Sequence, residues 1–135
     1  MKYWLIKSEP YEWSWDQQVE KGVECWHGVR NYQASNNMKA MKIGDRAFFY
    51  HSNVGKEIVG IVEVVKLYYP DHTDPTSRFG MVDFKAVKPL KTPVTLAQIK
   101  AHPELQTMAL VRQSRLSVSP VTPEEWAIIC DLGGV

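Results

Sequence analysis

Apolar and polar side chains alternate over Tyr3–Ser8, with Trp4, Ile6 and Ser8 on one side and Tyr3, Leu5 and Lys7 on the other, which predicts a first strand. Glu9-Pro10 ends it. The pattern then changes to helical spacing. In "SWDQQVEKG", Ser14 and Gln17 form a capping box and Gly22 supplies a stop, so a short helix is expected. A second short helix is expected in "NYQASNNMKAM", with Asn31 as its cap and Ala34, Met38 and Met41 on one face.

After Gly44-Asp45 the chain becomes β-rich. "RAFFYHS" and "EIVGIVEVVKLYY" read as two strands joined by "NVGK", and the length of the second predicts a bend near Gly60. "PDHTDPTSRFG" is a polar loop and "MVDFKAVKPL" a further alternating strand. Thr95 caps a short helix in "LAQIKAH", and "RLSVSPV" is a last strand with Leu116 and Val118 inward. In "TPEEWAIICDLGG" Thr122 and Glu125 form a capping box, Pro123 sits in the first turn and Gly133 follows the end. Five or six mainly antiparallel strands with short peripheral helices predict an α+β domain built on a curled or closed barrel.

A chain of 135 residues is the size of one domain, and residues 1–135 are read as such. No stretch approaches the roughly 20 apolar residues of a membrane span, so no membrane partner is expected. Cys25 and Cys130 come without a signal-like opening segment, which predicts free thiols and a cytoplasmic setting. Net charge is only +1, yet residues 25–100 carry eleven Lys/Arg against six Asp/Glu. That bias would suit one electropositive face. It is too mild for a protein that coats nucleic acid by charge alone, so any such partner would be held mainly by a pocket.

The densest chemistry lies in "WHGVRNYQASNN", residues 26–37. Trp26 offers a ring, Arg30 a forked donor and Asn31 a helix start with unpaired N–H groups, a set suited to a planar, hydrogen-bonding ligand. The same residues are equally readable as a core tryptophan, a surface ion pair and a cap. In "FYHSN", alternation places Tyr50 with Ser52 on one face and His51 on the other; in "SRLSVS", Arg115 and Ser117 oppose Leu116 and Val118. Cys25, His27 and His51 match no nucleophile–base signature, "DHTD" has no metal-ligand spacing, and no phosphate loop or dinucleotide fingerprint is present. No cofactor is expected.

Taken in order, "WLIKSEP", "WHGVRNYQASNNMKAMKIGDRAFFYHS", "IVGIVEV", "PVTLAQIK" and "RLSVSPVTPEEW" resemble the EVE domain family of the PUA-like superfamily, beside YTH and ASCH domains. The resemblance spans essentially the whole chain, with departures from the commoner pattern at His27 and Ser35. It implies a PUA-like pseudo-barrel and a non-enzymatic module that binds DNA or RNA by taking a modified base, such as methylated cytosine or adenine, into a pocket. By motif, it implies that Ser8, Glu9, Trp26, Val29, Arg30, Asn31, Tyr50, His51, Ser52, Arg115 and Ser117 line or border that pocket. The sequence shows no nuclease or other effector motif, so the consequence of binding would come from an effector partner protein or from occlusion. Two alternatives stay open: an enzyme acting on a modified nucleotide or nucleobase through His51 or Cys25, and a protein-interaction module using its exposed helices.

Overall fold

The computed structural model describes residues 1–135. In chain order the elements are β1 (Tyr3–Ser8), α1 (Trp15–Lys21), β2 (Val23–Cys25), α2 (Tyr32–Ala40), β3 (Arg46–His51), β4 (Glu57–Pro70), β5 (Gly80–Thr95), α3 (Leu96–Ala101), α4 (Ala109–Arg112), β6 (Val118–Val121) and α5 (Pro123–Gly133). The strands form one mixed sheet in the order β2-β5-β4-β3-β1-β6. Every pairing is antiparallel except β1 with β3, whose long connection carries α1, β2 and α2. The fold is thus the expected α+β arrangement of six strands with short helices around it.

Local chemistry sets the helix starts. Ser14 with Gln17, Thr95 with Gln98 and Thr122 with Glu125 each form a complete capping box, and the Asn31 side chain accepts the Ala34 N–H. The last helix runs one residue further than its sequence suggests: Gly133 lies inside α5, and Gly134, with φ +74°, is the left-handed cap. The last strand is shorter than predicted, beginning at Val118, because Arg115–Ser117 form the turn and bend that lead into it. β5 instead continues past Pro89 and Pro93 to Thr95. Beyond its pairing with β2 at Asp83–Lys85 it is a sheet edge, where a missing N–H costs no ladder bond. β2 and the single-turn α4 are too short to show a period in the sequence.

The sheet is buried on both faces. On one, Trp4, Ile6, Phe49, Val62 and Phe84 pack with Trp15, Trp26, Ala34 and Met38; on the other, Leu5, Phe48, Tyr50 and Ile58 pack with Ile99, Leu110, Trp126 and Ile129. This is why "AFFY" is an unbroken apolar run. Trp126 stacks between Tyr3 and Phe48, at ring-centre distances of 4.4 and 3.9 Å. The expected irregularity at Gly60 is present: β4 shifts register against β5 between Ile58 and Gly60 and against β3 opposite Phe49/Tyr50. Only glycine fits at this point. A Cβ on Gly60 would lie 2.5 Å from two ring atoms of Trp15, which is itself buried.

Gly60→Ala is therefore expected to destabilise the fold by about 1–3 kcal/mol through overpacking. Urea denaturation should show a lower midpoint at unchanged slope. An unchanged midpoint would mean that the Trp15 ring yields freely.

Candidate functional site

A cavity of about 520 Å³ opens at the ends of β1 and β3. Because these neighbours are parallel, with Ser8 in register with His51, both chains leave the sheet on the same side, and Ser52 N–H donates to Ser8 O at 2.9 Å. Ser117 O accepts the Lys7 N–H at 3.0 Å and brings the lead-in of β6 to the same place. The wall opposite the strand ends comes from β2 and the residues after it, Glu24 to Val29. Glu12 and Trp13 close a further side.

One buried carboxylate holds the end of this wall, at Gly28 and, just beyond it, Arg30. Asp71 Oδ2 accepts the Gly28 N–H at 2.7 Å and Arg30 Nη1 at 3.0 Å, while its Oδ1 accepts the N–H and hydroxyl of Thr73. Arg30 Nη2 donates to Thr73 Oγ1 at 2.9 Å. Gly28, with φ +87°, turns its N–H toward Asp71 from a backbone conformation that side-chain-bearing residues rarely adopt. Burial raises the Asp71 pKa, but the Thr73, Gly28 and Arg30 hydrogen bonds outweigh it and hold the carboxyl well below the usual carboxylate range. Asp74 organises the rest of the same loop. The Thr76 hydroxyl and the N–H groups of Thr76, Phe79 and Arg78 bring its pKa to about 2 against the effect of burial.

Other lining groups are held as firmly. Ser8 Oγ donates to Trp13 O, the Trp13 indole N–H to Gln18, and Lys7 Nζ to Ser114 O at 2.8 Å. Burial lowers the Lys7 pKa. Glu24 Oε1 accepts from Lys21 Nζ at 3.0 Å and from the Cys25 N–H at 2.9 Å. Burial alone would raise the Glu24 pKa, yet these donors bring it below its ordinary value. Burial and the Glu24 charge push the Cys25 thiol up, away from the reactive thiolate.

Of the residues singled out by sequence, Ser8, Glu9, Trp26, Val29, Ser52, Arg115 and Ser117 line this cavity. Arg30, Asn31, Tyr50 and His51 do not. Arg30 is tied to Asp71 and Thr73, and Asn31 caps α2. Tyr50 is buried in the core on the other sheet face. His51 Nε2 accepts the Trp15 N–H at 3.1 Å, its ring lies edge-on to Phe49, and burial lowers its pKa, which favours the neutral ring. Trp26 is both a core residue and a lining one: it is 7 % exposed and edge-on to Phe49 and Phe84. Sequence reasoning missed Lys7, Glu12, Trp13, Glu24 and Ser114 as lining groups, and Asp71 as the clamp. For Asp71 a signal was available. "DHTDPT" repeats Asp-x-Thr, the pattern of a carboxylate folding a loop around itself.

The sequence pattern of the EVE domain family matches residues 2–132. Thymocyte nuclear protein 1 of Homo sapiens is 37 % identical over 96 % of this chain and 73 % of its own length. An NMR structure from Rhodopseudomonas palustris is 62 % identical, with TM-score 0.94 over 99 % of this chain and 94 % of that one. The human THYN1 protein, solved in complex with 5-methylcytosine-containing DNA, is 34 % identical, with TM-score 0.92 over 100 % and 99 % of the two chains.

Removing the clamp should cost stability. Asp71→Ala leaves the Gly28 and Thr73 donors unpaired and is expected to destabilise by about 1–3 kcal/mol at neutral pH. Because the folded-state pKa of Asp71 is depressed, its contribution is present above the unfolded value of about 3.9 and is lost as pH falls below it. Denaturation midpoints measured between pH 7 and pH 2 should therefore fall less steeply for Asp71→Ala than for the wild type in the acid range. Parallel curves would show that the carboxylate is not the clamp.

Proposed function

The chain belongs to the EVE domain family, and on that footing we propose that it is a nucleic-acid-binding module without catalytic activity. It takes a modified base, 5-methylcytosine in DNA in the first instance, out of its strand and into the cavity. The observation that carries this reading is the convergence of the β1 and β3 ends, the Glu24–Val29 segment and the Ser114–Ser117 turn on one aromatic-floored cavity. Its volume falls within the roughly 300–1,000 Å³ of small-molecule sites. The human relative's complex with 5-methylcytosine-containing DNA supports the choice of ligand.

The energetics follow from the lining. Extruding a base from a duplex costs a few kcal/mol, and stacking on an aromatic ring returns about 1–3 kcal/mol. Trp26 shows little of its surface, so the stacking area comes from Trp13 and Trp26 together. The remainder is supplied by hydrogen bonds to the base edge and by phosphate contacts. Arg115 is suited to the latter: it is exposed at the cavity and engaged in no ion pair. Burying one methyl group contributes about 0.8 kcal/mol, roughly a fourfold gain in affinity.

Titration of duplexes carrying one 5-methylcytosine or one cytosine, repeated over a range of salt, tests the reading. The methylated duplex should bind about fourfold tighter. Arg115→Ala should weaken both by a similar factor and reduce the salt slope by about 1. Equal binding of the two duplexes with no effect of Arg115→Ala would remove the proposal.

A further inference from the structure

Glu24 is bonded on one oxygen only. Its Oε1 takes Lys21 Nζ, the Cys25 N–H and the Cys25 Sγ, whereas its Oε2 accepts from no group of the protein. The side chain is 14 % exposed and lines the cavity. Its free oxygen is not sealed away, since Ser119 Oγ is the one buried side-chain polar atom without a partner. The same holds for the Trp26 indole N–H, which has no partner in the protein and is likewise not sealed from solvent. Glu24 is paired across the sheet with Phe84, and the Trp26 ring meets that same Phe84 edge-on, so the two side chains share one side of an extended segment. The Glu24 carboxylate, held on one oxygen and free on the other, therefore stands in the cavity wall two residues from the Trp26 ring.

This acceptor has a complement among bases. Cytosine offers an exocyclic amine beside an unprotonated ring nitrogen, a donor next to an acceptor. Thymine and uracil offer the reverse, a carbonyl beside a ring N–H. An ionised carboxylate accepts from the amine. Against a carbonyl it is left facing another acceptor, partly desolvated and unpaired. We infer that Glu24 reads the exocyclic amine of the bound base, and that the site selects amino-bearing over keto-bearing pyrimidines more strongly than it senses the methyl group. The inference rests on the base-binding reading above and names the determinant of its specificity. The three donors on Oε1 hold the carboxylate in place before any ligand arrives, which is what such selectivity needs.

The experiment places 5-methylcytosine or thymine opposite an abasic site in otherwise identical duplexes. Both bases carry the methyl group and neither has a pairing partner to lose. Wild-type protein should bind the 5-methylcytosine duplex about 5- to 150-fold tighter. Glu24→Gln, whose amide oxygen is held by the same donors so that its NH2 faces the base, should abolish or reverse the preference by strengthening thymine binding and weakening that of 5-methylcytosine. Should that variant fail to fold, wild-type binding of 5-methyl-2-pyrimidinone at the same position decides: loss of the amine alone should weaken binding within the same range. Equal wild-type affinity for 5-methylcytosine and thymine, with both weakened by Arg115→Ala, would overturn the role of Glu24 and leave the base-binding reading standing. So would a full preference retained in Glu24→Gln. Binding indifferent to both Arg115→Ala and the identity of the base would overturn the base-binding reading itself.

Discussion

The edge-on packing of Trp15 and Trp26 against Phe49 governs one whole face of the molecule. Phe49 lies on β3, in the interior of the sheet, and its ring centre is 5.4 Å from that of Trp15 and 5.7 Å from that of Trp26. Trp15 brings α1 down onto the sheet, closely enough that only glycine is accommodated at position 60. Trp26 brings the end of β2 over the same surface and becomes the cavity floor. The helix, the glycine at the strand bulge and the cavity lining thus meet in one aromatic cluster. Close-packed interiors transmit such constraints because the rings have no void to move into.

Packing positions the floor, but a second device is needed for the wall. The segment Gly28–Arg30 is irregular backbone, and irregular backbone near a core must find partners for its N–H groups. Asp71 provides one for Gly28, and accepts the Arg30 guanidinium, from a loop over 40 residues away, just as buried Asp45 accepts the N–H groups of Lys2 and Lys42 and the Trp4 indole at the other end of β1. In both places a carboxylate serves as a multi-acceptor hub rather than as a surface charge. The cost of burying it is offset by the number and directness of its donors. Arg30 illustrates the consequence. A guanidinium that looks free in the sequence is already engaged, and the cationic groups at the cavity are Lys7, bonded to Ser114 O, and Arg115.

The chemistry of the cavity is correspondingly mixed. Lys7, Arg115, Glu9, Glu12 and Glu24 line it together with serines and the Trp13 and Trp26 rings. Such a lining is poorly suited to holding a phosphate by charge, and well suited to sorting the donors and acceptors of a planar edge. This agrees with a chain of net charge +1, in which affinity for a nucleic acid would come largely from fit and only partly from counterion release.

Much of the fold was legible in the order of residues. The periods of β1, β3 and β4, the caps at Ser14, Asn31, Thr95 and Thr122, and the irregularity at Gly60 are local consequences of side-chain alternation, side-chain-to-backbone hydrogen bonds and glycine, and each was readable without knowledge of the partner element. The motifs that build the cavity were readable too, as stretches rich in polar and aromatic groups. Which members of each stretch face the cavity was not. Trp26, Arg30 and Asn31 each admitted a structural and a ligand-binding role, and contacts distant in sequence separated them: Phe49 and Phe84 against Trp26, Asp71 against Arg30, the opening turn of α2 against Asn31. Sequence alone determined the elements and the chemical groups available. Tertiary structure decided which of those groups were already bonded to the protein and which were left without a partner in it, because a hydrogen-bonding group satisfied at long range looks no different, along the chain, from one that is free.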